Sequence, residues 1–231
     1  MKRFYEKVAT RQHEGAWQVT LDGRGLKTVR GAPQLVPNKA LAEELAKEWD
    51  IEGEELDPLG FPLRDMTDYA LDVVASDREA LLDKLIAYAD TDTLLYRADP
   101  DEPLYARQQE VWEPITKAFE ASHGVTMKRV SGIMHTAQDE AALATIRASM
   151  SDLDAFSLAA LETMTSLAAS LTIGLSALEP DADPLALWQA ASLEEEWQAD
   201  LWGRDEEAEE RRAKRTADFE RAARFAKAAR G

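Results

Sequence analysis

Ala16-Trp17-Gln18-Val19-Thr20-Leu21-Asp22-Gly23-Arg24-Gly25-Leu26-Lys27-Thr28-Val29 sets the character of the first part of this chain. Trp17, Val19 and Leu21 alternate with polar neighbours, the period of a half-buried strand. Asp22-Gly23 supplies residues that tolerate the positive φ of a tight hairpin turn, and Leu26-Lys27-Thr28-Val29 is the expected return strand. Residues 4 to about 36 therefore read as short strands. Pro33 and Pro37 limit further extension, and Asn38 is placed to cap a helix over residues 39–50. Within that helix Leu41, Leu45 and Trp49 step by four and form one apolar stripe.

Beyond Pro58, Gly60 and Pro62 the pattern turns helical. Met66, Tyr69, Ala70, Val73 and Val74 mark one helix, and Leu81, Leu82, Leu85, Ile86 and Tyr88 the next. Another runs through Trp112 to Ala121, with Pro114 expected to kink it or to begin its second half. Residues 125–135 have room for a short strand. Further helices are expected over 139–149, 153–177, 184–191 and from 193 onward. The fold class is thus α+β: a small β-rich N-terminal domain with one helix (1–60), then a larger helical domain (61–231) ending in a charged tail.

The 231 residues carry 45% hydrophobic and 31% charged side chains, the profile of a globular protein with a real core. There are no cysteines, which removes disulfides, thiol catalysis and cysteine-ligated metal centres. The net charge of −17 is uneven: eight Lys/Arg face two acids from Arg211 to Gly231, a local +6, leaving about −23 for the rest. An acidic body steers basic partners and argues against nucleic-acid binding. The tail itself reads as a long polar or frayed helix, with Glu207–Arg211 and Glu210–Lys214 as acid-before-base pairs four apart. Phe156 to Leu178 is apolar enough to resemble a membrane span. Glu162, seven hydroxyl residues and acidic flanks favour a buried helix, so no membrane insertion is expected. The opening Met1-Lys2-Arg3-Phe4-Tyr5 lacks a secretory h-region, and a cytoplasmic setting follows.

Chemistry is hard to place. His13, His123 and His135 have no metal-binding spacing, and no Gly-x-Ser-x-Gly elbow occurs. Asp22-Gly23-Arg24-Gly25 precedes a strand, the wrong context for cradling phosphate. Asp90-Thr91-Asp92 imitates a magnesium site but reads better as a helix end and capping turn. Glu194, Glu195 and Glu196 splay by about 100° each on a helix and cannot jointly chelate one ion. No cofactor or metal is expected, and a metal- or small-molecule-dependent enzyme built on Glu194–Glu196 is the competing reading.

Trp197-Gln198-Ala199-Asp200-Leu201-Trp202-Gly203 is the strongest remaining signal. Leu193, Trp197 and Leu201 fall within about 80° on a helix, one apolar face, while Trp202 points roughly 140° from Trp197. A ring on the second face needs a second surface, from this chain or from a partner. Glu194, Glu196 and Asp200 border the apolar face, and an apolar strip with an acidic rim suits reversible protein binding. An ordinary amphipathic helix, its stripe wholly buried inside the protein, fits the same pattern.

Short motifs distributed along the chain resemble a known family. Arg3-Phe4-Tyr5-Glu6-Lys7-Val8, Leu21-Asp22-Gly23-Arg24 and Leu26-Lys27-Thr28 match its opening. Leu41-Ala42, Glu48-Trp49 and Asp90-Thr91-Asp92-Thr93-Leu94-Leu95-Tyr96-Arg97 follow. Gln109, Trp112-Glu113-Pro114, Gly132-Ile133, Leu193-Glu194, Gln198 and Trp202-Gly203 complete the series in order. The family is that of the F-type ATP synthase assembly chaperones that hold the α subunit of the catalytic head. Two departures stand out. Phe61-Pro62-Leu63-Arg64 replaces the common Met-Pro-Leu-Thr. A His-Asp pair usual after Trp202-Gly203 is missing, with Asp205-Glu206 and Glu209-Glu210 in that region.

The resemblance implies a β-rich domain joined to a helical one, and a non-catalytic, monomeric holdase for the unassembled ATP synthase α subunit. It would act in the cytoplasm of a bacterium or in a mitochondrial matrix. Glu194, Glu196, Trp202 and Glu206 are the expected partner-binding residues, and Trp49 is expected to be structural.

Overall fold

The computed structural model describes residues 2–132 and 134–231; Met1 and Ile133, which belong to quoted motifs, lie outside the described residues. The chain divides into two compact units. One comprises Met1–Arg78, Asp154–Ala160 and Arg224–Gly231; the other comprises Glu79–Leu153 and Leu161–Ala223. The loop around residue 60 falls within the first.

In the first unit β1 (Val8–His13) and β2 (Ala16–Leu21) pair antiparallel, Val8 opposite Leu21 and His13 opposite Ala16. Two tight turns shape this meander. Asp22 and Gly23 take φ 48° and 78°, the conformation expected of a hairpin there. Glu14 and Gly15, with φ 53° and 82°, make a second such turn that the sequence did not advertise, because Glu is an unusual occupant of a positive-φ site. Asp22 adds a further role: its carboxylate accepts the Lys7 N–H at 2.8 Å, pinning the chain entry to the hairpin.

The expected return strand is shorter than its sequence suggests. β3 covers only Arg24–Gly25, after which an isolated rung joins Lys27 to Pro33. The chain folds back because Thr28 N–H donates to Ala32 O at 2.8 Å while the Thr28 hydroxyl donates to Asp72 at 2.8 Å. The clean alternation of β2 is also modified: Gln18 and Thr20 are buried along with Val19 and Leu21. Gln18 tolerates burial because its amide donates to Leu26 O at 2.8 Å and accepts from Arg11 at 2.9 Å.

Asn38 caps α1 (Lys39–Trp49), its side chain accepting the Leu41 N–H. Leu41, Leu45 and Trp49 are buried as expected. Trp49 lies 4.4 Å from Phe61 and 5.9 Å from Tyr5, ring centre to ring centre. The Glu48 carboxylate takes the N–H groups of Leu63 and Arg64, capping α2 (Pro62–Tyr69) from another helix. A π-helical turn over Ala70–Val74 follows.

The second unit begins with α3 (Arg78–Asp90), whose first residue belongs to the first unit. A 3₁₀ turn over Thr93–Leu95 leads to β4 (Tyr96–Arg97), and α4 (Pro103–His123) runs through Pro114 as one continuous helix. β5 (Val130–Ser131) pairs parallel with β4, supplying the short strand expected near 125–135. α5 (Glu140–Ser149) follows. Trp112 is fully buried, with its indole N–H donating to Ala190 O at 2.7 Å. Asp92 is a buried junction rather than a metal site: it accepts N–H bonds from Leu94 at 3.0 Å and Thr172 at 2.8 Å. Burial pushes its carboxyl pKa up, against those hydrogen bonds.

Two helical expectations need correction. The single helix over 153–177 is two helices, α6 (Ala155–Ala168) and α7 (Leu171–Ser176). Ala169 breaks it with φ 48°, and the Ser170 hydroxyl then accepts Ile173 N–H at 3.1 Å to start α7. Ala169 O is rewarded by bonds from Thr93 N–H and hydroxyl, at 3.1 and 2.9 Å. Among the described residues no helix is long and apolar enough to cross a membrane.

The tail is the second correction. α10 (Glu206–Arg230) is neither frayed nor polar all round. Phe219, Ala222, Ala223, Phe225, Ala226 and Ala229 are buried. In the second unit Phe219 packs on Trp188, ring centres 5.5 Å apart; in the first, Phe225 lies 6.3 Å from Phe156. Asn38 Nδ2 also donates to Ala229 O at 2.7 Å within the first unit. The stripe was hard to read because alanine supplies most of it.

Candidate functional site

α8 (Pro184–Ala191) and α9 (Leu193–Trp202) carry three of the second unit's exposed large apolar side chains, Leu185, Leu201 and Trp202. Asp183 caps α8, accepting Ala186 N–H at 3.1 Å, and Pro184 at the first turn sacrifices no needed donor. α9 ends at Gly203, whose φ of 98° lets the chain turn sharply into Arg204. Asp205 accepts Ala208 N–H at 3.0 Å, starting α10.

The apolar stripe on α9 rises out of the core along the helix. Leu193 is buried, Trp197 is half-buried and Leu201 is 61% exposed. The stripe is therefore not wholly internal. Trp202 is 79% exposed, so it is not pinned between parts of this chain. The roughly 140° between the two indoles has a direct consequence: each lines a different cleft. Trp197 lines a groove of about 600 Å³ with residues of α4, α8 and α10; Trp202 lines a second cleft of about 410 Å³ with Ala208, Arg211 and Arg215 of α10.

The three consecutive glutamates diverge. Glu194 turns inward, accepting the Gln108 Nε2–H bond at 2.7 Å, and burial raises its pKa while that hydrogen bond opposes the rise. Glu195 meets Arg215 at 2.8 Å, and Arg215 also donates to Leu167 O at 3.0 Å and stacks over Trp188. Glu196 meets Arg204 at 2.8 Å and Arg212 at 3.5 Å. Arg204 further pairs with Asp200 at 2.9 Å and Glu209 at 3.3 Å, and Arg212 pairs with Glu209. The hydrogen bonds to Asp200 and Glu196 hold the Arg204 pKa above its ordinary value. The corner between α9 and α10 is thus an ion-pair network around two arginines, a feature the sequence reading missed. The Arg204–Asp200 and Arg212–Glu209 spacings, four and three residues, were its legible signal.

Of the four sequence-predicted partner residues, Trp202, Glu196 and Glu206 belong to this exposed corner, and Glu194 faces Gln108. Glu206 sits in the first turn of α10 and, among the described residues, has no ion-pair partner. There its charge faces the positive end of the helix dipole. Among the described residues no group of three or more His, Asp or Glu is placed to hold a metal ion. His135 instead bridges Tyr96 and Asp90, and His123 stacks on Phe119.

Comparison with known proteins gives this architecture a family. The model of the ATP12 chaperone protein family matches residues 2–120, more than half of the chain. The chain belongs to the ATP12 chaperone family. Its motifs had pointed there, as a family of F-type ATP synthase assembly chaperones. The crystal structure of Atp12 from Paracoccus denitrificans superposes with a TM-score of 0.92 at 35% identity, covering 99% of this chain and 98% of that one. The Atu1473 protein of Agrobacterium tumefaciens superposes with a TM-score of 0.93, also at 35% identity, over 98% and 85% of the two chains. The mitochondrial protein atp12 of Schizosaccharomyces pombe is 29% identical over 221 residues, 90% of this chain and 76% of the yeast one. The α+β fold expected from the sequence is the fold of the Paracoccus Atp12 structure. Because the family model ends at residue 120, the α9–α10 corner lies beyond it, and the full-length superpositions are what carry the likeness through that corner.

Proposed function

We propose that this protein is a holdase for the unassembled α subunit of an F-type ATP synthase, covering its subunit interface until the β subunit takes its place. The observation that carries the reading is the emergence of the α9 stripe into solvent, with Leu201 and Trp202 exposed beside an ion-paired acidic rim. An unassembled subunit exposes apolar surface meant for its neighbour, and such surface aggregates. A small apolar patch with a charged rim offers cover without the permanence of a deep obligate interface. Dispersal of Glu194, Glu195 and Glu196 onto separate partners supports a non-catalytic role over the enzyme alternative.

In this reading Trp202, Glu196 and Glu206 contact the client, and Glu194 holds α9 in place behind them. The protein acts as a monomer without a cofactor, in a bacterial cytoplasm or, in a eukaryote, a mitochondrial matrix. Capture of purified α subunit by the immobilised protein tests it, with Trp202→Ala and Glu196→Lys as variants. Loss of capture in both, with native circular dichroism, is expected. Wild-type capture by both would remove the site assignment, and no capture by the parent protein would remove the function.

A further inference from the structure

The groove lined by Trp197 is a second candidate surface, on the other side of α9 from Trp202. Its apolar floor is Val111 of α4, Leu185, Ala186 and Trp188 of α8, and Leu193 and Trp197 of α9. At about 600 Å³ it has room for several large side chains at once. Leu185 stands 41% exposed at its edge although it is a leucine in the first turn of a helix, where a polar residue would cost nothing.

One rim is acidic and helical. Glu196 and Asp200, one turn apart on α9, both line the groove, which Arg107 of α4 and Arg212 of α10 line as well. Arg204, from the short link after α9, neutralises them from outside the lining, at 2.8 and 2.9 Å. Arg204 is an exposed guanidinium, and Arg212, which meets Glu196 at 3.5 Å, keeps its pairing with Glu209, so a partner's basic side chain can take over the Arg204 contacts without a buried charge being stranded. The body of the chain, about −23 before Arg211, draws such a partner in.

We propose that this groove takes an amphipathic helical segment of the α-subunit client. Its apolar residues, at helical spacing, sit on the Val111–Leu185–Trp197 floor, and Lys or Arg along one edge faces Glu196 and Asp200. The proposal rests on the holdase reading and adds to it the chemistry of the recognised segment. A helix laid in an apolar groove anchors through residues three and four apart, which matches a floor built from three helices better than an extended strand does.

A photo-crosslinking residue placed at Leu185 of the full chain, mixed with purified α subunit, tests this. A control label goes at Val29, which is 85% exposed in the first unit. The expected adduct from position 185 maps to an α-subunit peptide with apolar residues at i, i+3/i+4 and i+7 and a basic edge, and the Val29 label does not capture that peptide. If the unlabelled chain captures the α subunit but the label at 185 yields no adduct, or an acidic or extended segment, the groove proposal is overturned while the holdase reading stands.

If the unlabelled chain captures no α subunit, the holdase reading fails, and a synthetic Leu/Lys amphipathic helix decides the groove alone. Roughly tenfold weaker binding of that peptide by Leu185→Glu, with no change for Leu59→Glu, supports the groove. Equal binding by both variants overturns it.

Discussion

Gln108 and Glu194, 86 residues apart, are joined by a hydrogen bond of 2.7 Å from the Gln108 amide to the Glu194 carboxylate. Gln108 is fully buried and committed on its other side, its Oε1 accepting Ala98 N–H at 2.8 Å and its backbone O accepting from Arg97 at 3.0 Å. The start of α9 is therefore fixed to α4 and to Ala98, just after β4, through one amide side chain. Replacing Glu194 by Leu strands the Gln108 N–H group, and a loss of about 1–3 kcal/mol is expected in denaturant unfolding. Glu194→Gln keeps an acceptor and loses less.

The same pair carries a pH dependence with a definite sign. Burial raises the Glu194 pKa in the folded state. The folded form thus holds the proton more tightly than the unfolded one. Its stabilising contribution is complete below the ordinary carboxylate range and fades as pH rises through the raised value. Glu194→Gln lacks this titration. Thermal midpoints of the parent should fall relative to that variant on going from mildly acidic to neutral pH, and a constant difference would show that Glu194 does not titrate in this way.

Asp92 ties the 3₁₀ turn at Leu94 to the start of α7 at Thr172. Asp92→Ala leaves both N–H donors without that acceptor in a fully buried place. A loss of about 3 kcal/mol or more is expected, with Asp92→Asn less damaging because one amide oxygen remains. Urea unfolding curves measure both.

Trp49 is 6% exposed and its backbone O accepts the Tyr5 hydroxyl at 2.5 Å. Trp49→Arg buries an unpaired guanidinium between Tyr5 and Phe61, and destabilisation of roughly 3 kcal/mol or more should follow. An unchanged thermal midpoint would contradict the structural role.

Gly174 lets α7 approach α6 closely. A Cβ there would collide with the Thr165 hydroxyl and meet Leu161 Cδ1 at 3.0 Å. Gly174→Val should cost about 1–3 kcal/mol by overpacking. Gly174→Ala, being smaller, should fall between parent and Val in the same unfolding assay.

Where side chains speak for themselves, the sequence was a good guide. Asp22-Gly23 and Asn38 act locally, and their turn and cap are where their chemistry places them. Leu41, Leu45 and Trp49 are large enough to declare a buried face. The break at Ala169 was invisible because its strained φ is held by distant Thr93, not by any local preference of alanine. The buried face of α10 was hidden by its alanines, whose burial depends on what packs against them.

At the candidate site the angle between Trp197 and Trp202 was legible from helical period alone, and it separates two real clefts. The inward turn of Glu194 was not, since it depends on Gln108 in another helix. Nor was the convergence of Glu196, Asp200 and Glu209 on Arg204, which the turn at Gly203 brings about.

Trp202 supplies the sharpest test, because at 79% exposure its removal should leave the fold's stability within about 0.5 kcal/mol. An aromatic anchor of this kind contributes on the order of 2 kcal/mol to an interface, roughly thirtyfold in affinity. The decisive measurement is light scattering from purified ATP synthase α subunit, diluted under conditions where it aggregates. The parent protein at equimolar ratio should suppress scattering, Trp202→Ala should do so far less well, and added β subunit should displace the parent. Undiminished aggregation in the presence of the parent protein would contradict the account.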